Sequence, residues 1–306
     1  MNYTRITKAL SDGLLSFPVT DLDSDGNFNA TTFAERLESF VHYEVSAVFV
    51  AGGTGEFFSL SKEEYNQIVA LTTKTIQGRV PTVSSIGRSI PEAIEFAAIA
   101  EKAGIDALLL MPPYLTECPQ DGIVEYAKRI IKSTSLPVIF YNRANGVLAA
   151  EQIKSLADSC PNFIALKDGT GNIEALNTTI KLIGDRLVYI GGVPTAEIIS
   201  EAYLSIGVNT YSSAVFNFVP KLANHFYTSL RARDVETVNK IIKEFFVPFV
   251  HLRSKKQGYA VSLIKAGCQL IGKSAGNVRF PLVMPTPSEL EELQALIDKE
   301  NSLINN

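Results

Sequence analysis

The sequence predicts a closed (β/α)₈ barrel with a C-terminal helical extension, on three observations. Short runs rich in apolar and β-branched residues recur eight times. Each is followed by a polar turn and a longer segment with apolar residues at helical spacing. The eight units together fill about 230 residues, the size of the TIM-barrel architecture.

The expected strands are residues 14–19, 47–51, 82–86, 107–111, 138–141, 163–167, 188–191 and 208–211. The helices expected between and after them are 30–43, 61–75, 89–103, 120–133, 149–159, 173–183, 195–205 and 217–231. Ser61 with Glu64 three residues on, and Ser89 ahead of Pro91 and Glu92, supply N-cap chemistry. Strands apolar along their whole length need cover on both faces, which a parallel sheet flanked by helices provides. Alternation alone does not prove closure, so an open doubly wound sheet is the structural alternative. The first strand lacks the G-x-G-x-x-G turn that would favour it. After residue 232 the strand signal stops, and 235–249, 259–271 and 287–301 read as helices. The division expected is a catalytic barrel over 1–231 and a helical region over 232–306.

The 306 residues are 46% hydrophobic and 20% charged, enough to bury a large core. A formal net charge of −4 with no long basic run leaves no electrostatic footprint for nucleic acid or an anionic membrane, so a small molecule is the expected partner. Cys118, Cys160 and Cys268 are scattered and odd in number, which fits a reducing cytoplasm. His42, His225 and His251 stand apart from any thiol or carboxylate at metal-ligand spacing, so no metal is expected. The N-terminus lacks the apolar core of a signal peptide, and no stretch of about 18 apolar residues occurs.

In a barrel of this kind, reactive groups collect where the strands end at the C-terminal face. The sixth run ends in Lys167-Asp168, putting a lysine where apolar wall meets mouth. Burial disfavours the ammonium form and turns lysine into an amine able to attack a ketone. The plain alternative is a lysine that reaches solvent or pairs with Asp168. Tyr141 ends the fifth run, where a phenol could relay protons beside Lys167 or simply be a core tyrosine bonded to backbone. The loop Gly52-Gly53-Thr54-Gly55-Glu56 after the second run is a carboxylate cradle or only a turn. Gly192 leaves room for substrate. Ser212 and Ser213 could line the mouth, although Ser213 or Asn217 could equally cap the last barrel helix.

In this order and spacing, Gly52-Gly53-Thr54-Gly55-Glu56, Tyr141-Asn142 and Lys167-Asp168 resemble the dihydrodipicolinate synthase and N-acetylneuraminate lyase family, over the whole barrel and the helical tail. Residues 13–21, 51–60, 112–117, 141–145 and 211–217 resemble a decarboxylating dehydratase of that family more than the synthase. The synthase has a second threonine where this chain has Gly53, and a Tyr-Tyr pair where this chain has Tyr114-Leu115. A synthase-type hydroxyl relay is therefore incomplete. The resemblance implies a substrate with a 2-keto acid at one end and a carboxylate at the other. It implies Lys167 as the Schiff-base nucleophile with no further cofactor, and Tyr141 as the proton shuttle. Gly53, Thr54 and Gly55 would hold the near carboxylate; Arg143, Asn145, Ser212 and Ser213 are candidates for the far one. Arg143 could instead form a subunit contact. An aldolase or dehydratase of the same family acting on another 2-keto-3-deoxy sugar acid and a barrel that only binds a keto acid stay open, and a homotetramer built as a dimer of dimers is the expected assembly.

Overall fold

The computed structural model describes residues 3–114 and 117–305. Eight parallel strands form the barrel: β1 (Leu15–Ser16), β2 (Ala47–Val50), β3 (Thr82–Ile86), β4 (Ala107–Leu110), β5 (Val138–Asn142), β6 (Phe163–Asp168), β7 (Val188–Gly191) and β8 (Thr210–Ser213). Each pairs with its sequence neighbour and β1 pairs with β8, so the sheet closes and the open alternative is excluded. Helices lie between the strands as expected, and the capping boxes at Ser61–Glu64 and Ser89–Glu92 both form.

Local chemistry explains where the boundaries moved. β1 is only two residues long because Pro18 has no N–H to give a ladder, although Leu14, Phe17 and Val19 stay buried. β8 begins two residues later than the pattern implied. Gly207 turns at φ +90° and the Val208 amide donates to the Tyr203 carbonyl at 2.9 Å, so the chain joins the barrel only at Thr210. That shift puts Ser212 and Ser213 in the strand. The eighth barrel helix starts at Pro220 with no side-chain cap. Asn217 crosses to the first strand instead, accepting from the Val19 amide at 3.0 Å and donating to the Phe17 carbonyl at 2.9 Å. A helix over Thr4–Ser11 was not evident in the sequence; it packs on β6 and β7, and its Leu10 carbonyl accepts from the Thr210 hydroxyl.

In the extension, Val235–Ile241, a π-helical turn over Ile242–Phe246 and Val247–Ser254 follow without a break. The π turn ends at Phe246, two residues before Pro248, whose missing N–H removes an intrahelical hydrogen bond, and the helix runs beyond the expected end at 249. Tyr259–Leu270, Pro287–Ile297 and Glu300–Ile304 complete the extension. No helix among the described residues is long and apolar enough to cross a membrane.

The extension is joined to the barrel by buried charge. Lys265 Nζ lies 2.7 Å from Glu56 Oε1, with the two side chains 0% and 2% exposed. The other oxygen of Glu56 accepts from the Arg279 amide at 2.8 Å. Beside them, Arg36 donates to both oxygens of Asp21 at 2.7 and 2.9 Å and to the Lys273 carbonyl at 2.9 Å. A buried pair is weak evidence of net stabilisation, but losing one partner strands the other charge. Lys265→Met should therefore lower unfolding free energy by about 3–5 kcal/mol, and adding Glu56→Gln should restore much of it. Chemical denaturation of both variants checks this; a Lys265→Met chain as stable as the parent would contradict it.

Candidate active site

The cross-strand register builds the centre of the site. Tyr141 on β5 pairs with Lys167 on β6, so both side chains leave the wall on the same side, at the C-terminal mouth. Asp168, the next residue, turns to the opposite face. There its carboxylate accepts from the Thr170 amide and hydroxyl, the Gly171 amide and the Tyr203 hydroxyl. Asp168 is thus fully engaged elsewhere, and the ion pair with Lys167 does not form.

Lys167 is 4% exposed. Its Nζ lies 3.7 Å from the centroid of the Tyr141 ring and 4.8 Å from that of Phe17, and donates to the Gly192 carbonyl at 3.4 Å. Burial pushes its pKa below the ordinary lysine value. The Tyr141 hydroxyl donates to the same Gly192 carbonyl at 2.7 Å and accepts from Arg143 Nη1 at 2.9 Å. Burial raises the phenol, but the Lys167 and Arg143 charges outweigh it, and the net shift is downward. Glycine is required at 192, since a Cβ there would come within 2.6 Å of Lys167 Cγ and 3.0 Å of its Nζ.

These groups sit in a cavity of about 300 Å³. Of the residues singled out from the sequence, Lys167, Tyr141, Gly53, Thr54, Arg143, Gly192 and Ser212 line it. Gly55, Asn145 and Ser213 are not among its lining residues. Gly55 is packed against Ala51 and Gly52, and its carbonyl accepts from Thr20 at 2.7 Å. Asn145 lies in the short turn Ala144–Gly146 beyond β5. Ser213 faces away from Ser212, as strand alternation requires, and donates to Glu197 Oε1 at 2.7 Å rather than capping a helix. Nothing would meet a Cβ at Gly53 within 4 Å, so the missing side chain leaves open space beside Thr54. Tyr114 also lines the cavity, while Leu115 and Thr116 lie outside the described residues.

The cavity also takes residues that were not site candidates in the sequence. Phe17 directly follows β1, and Phe249, Arg253, Ala260, Val261 and Ile264 come from the extension, which roofs the mouth. Arg253 Nη1 donates to the Pro194 carbonyl and the Thr195 hydroxyl, each at 2.6 Å. Glu197 is wholly buried, its second oxygen has no hydrogen-bond partner among the described residues, and burial lifts its carboxyl to about 7. Helical spacing in the extension distinguishes a buried face from an exposed one, but not a face on the core from a face on the cavity. Among the described residues no group of three or more His, Cys, Asp or Glu is placed to hold a metal.

A buried amine with a phenol at its register partner, inside a cavity of about 300 Å³, is an arrangement suited to carbonyl chemistry. Comparison with known proteins agrees. The model of the dihydrodipicolinate synthetase family matches residues 10–300. A protein of Delftia acidovorans named probable 5-dehydro-4-deoxyglucarate dehydratase is 49% identical over 95% of this chain and 96% of its own. The 5-dehydro-4-deoxyglucarate dehydratase of Pseudomonas putida is 47% identical over 98% of this chain and 99% of its own. The crystal structure of dihydrodipicolinate synthase from Oceanobacillus iheyensis superposes with a TM-score of 0.90 at 25% identity, covering 98% of this chain and all of the other. By the matched model and these near-full-length relatives, the chain belongs to the dihydrodipicolinate synthetase family.

Proposed function

We propose that the chain is a decarboxylating dehydratase that converts 5-dehydro-4-deoxy-D-glucarate to 2,5-dioxopentanoate, CO₂ and water through a Schiff base on Lys167. The observation that carries the chemistry is the Lys167 amine, held out of water against the Tyr141 ring. The near-full-length identity to chains named for this reaction supports the substrate.

Numbering carbons from the carboxylate beside the ketone, Gly53 and Thr54 hold C1 while Lys167 Nζ adds to C2. Tyr141 carries a proton to the departing oxygen, and loss of water leaves an iminium. That cation is an electron sink: a C3 proton leaves to Tyr141, and its electron pair forms the enamine. The pair then forms C3=C4 as the C4–O bond breaks, and the hydroxyl leaves as water. Only now is C5 conjugated to the iminium. The C5–C6 bond breaks, CO₂ departs, and the electron pair moves through C4 and C3 to nitrogen, so dehydration precedes decarboxylation. Protonation at C3, tautomerisation of the C5 enol to the aldehyde and hydrolysis of the imine free the product and Lys167. Residues 232–306 belong to the working enzyme in this reading, because they roof the cavity. We further infer, from the family resemblance, a cytoplasmic homotetramer, for which light scattering should give four times the 33.4 kDa chain mass.

Lys167→Ala should abolish turnover while the circular dichroism of the fold is retained. Tyr141→Phe should lower kcat by about 10²–10⁴-fold, the contribution of a positioned acid–base group. A coupled assay following CO₂ and the semialdehyde reads both; release of pyruvate and an aldehyde in place of CO₂ would refute the dehydratase. In pH dependence, the reactive form of Lys167 is the neutral amine, which accumulates as pH rises through the folded pKa. The rate of imine formation should therefore climb with pH and level off below the 10.5 of an ordinary lysine. A rate still climbing beyond that point would show a lysine exposed to water.

A further inference from the structure

The cavity carries more positive charge than its own residues neutralise. Arg143 and Arg253 both line it, and neither belongs to any ion pair among the described residues. The carboxyl that lines it, Glu197, has one oxygen occupied by Ser213, and burial raises its pKa, which works against its negative charge. Arg253 is half-buried; that burial destabilises its cation, the nearby Glu197 charge offsets part of the cost, and Arg143 adds to it. Partly buried guanidiniums without a direct ion-pair partner are costly, and an incoming anion reduces the cost.

The two arginines differ in placement. Arg143 donates to the Tyr141 hydroxyl and so belongs to the ketone end, beside Lys167. Arg253 reaches the cavity from the extension, and a single nitrogen, Nη1, is anchored on Pro194 and Thr195 beyond β7. Its Nε and Nη2 have no protein acceptor among the described residues, which leaves one edge of the guanidinium for bidentate donation. The anchor is itself unusual. Thr195, a β-branched residue, sits at φ +55°, a conformation such residues rarely adopt, and its hydroxyl is one of the two groups that orient Arg253.

We propose that Arg253 binds the carboxylate remote from the ketone and thereby selects keto diacids over the corresponding monoacids, an inference that rests on the keto-diacid reading above. The helical extension then contributes a specificity determinant, and the barrel contributes the Schiff-base chemistry. Arginine suits this task through its planar pair of donors, which lysine lacks.

The test compares wild type, Arg253→Met and Arg253→Lys with three compounds: the diacid, the 2-keto-3-deoxy monoacid that ends in CH₂OH, and pyruvate. Pyruvate has no second carboxylate, so its borohydride-trapped adduct reports Lys167 and the fold alone. Arg253→Met should raise KM for the diacid by about tenfold or more, with Arg253→Lys intermediate. Pyruvate trapping should match wild type, and the preference for diacid over monoacid should collapse. Unchanged KM in both variants would overturn the proposal. So would a parallel fall in diacid turnover and pyruvate trapping, the signature of a merely structural residue. Failure of the wild type to turn over the diacid would overturn the parent reading and this one with it, and is seen without any variant.

Discussion

The structure turns on keeping one amine dry. Lys167 lies on an apolar strand with its nitrogen close to two aromatic rings and buried from water, where an ammonium loses the hydration that stabilises it. The barrel makes this possible, because closure buries the inner face of every strand and opens only at the mouth. Register then brings Tyr141 alongside, and alternation carries the Asp168 carboxylate, which would have restored the ammonium, to the other face. Gly192 completes the arrangement by withholding a side chain from the space Nζ occupies and offering its carbonyl to both groups.

Around that centre, charge is paired where it is structural and left unpaired where an anionic substrate belongs. Behind the glycine loop, Glu56 is paired with Lys265 and bonded to the Arg279 amide, and Asp21 is chelated by Arg36. The Glu56–Lys265 pair joins the barrel to the extension, and Arg36 also donates to the Lys273 carbonyl of the extension, so the loop that carries Thr54 is held from behind. Inside the cavity the balance reverses, with two guanidiniums and a carboxyl drawn toward neutrality. The proposed keto-diacid substrate would supply negative charge at both ends.

The fold was largely legible because a barrel strand is a short apolar run between a cap and a turn, and all eight runs read that way. The misplacements come from single residues: Pro18 ends the first ladder, Gly207 delays the eighth strand, and Pro248 follows a π turn that periodicity cannot register. The helix over Thr4–Ser11 went unread for want of a capping residue; Tyr3 makes no side-chain cap. In the site, Lys167 and Tyr141 were legible because strand ends define the mouth. Gly55 and Ser213 were less so, because which side of a loop or strand end a residue faces depends on register. Arg253 was hidden altogether. It belongs to a helix whose sequence shows only that one face is buried, and its place over the cavity depends on tertiary packing of the extension.

The most direct test of the central claim is borohydride reduction in the presence of the keto diacid, followed by peptide mass analysis. A single reduced adduct on Lys167 is the expected result. No adduct, or an adduct on the other buried lysine, Lys265, would contradict a mechanism built on the Lys167 amine.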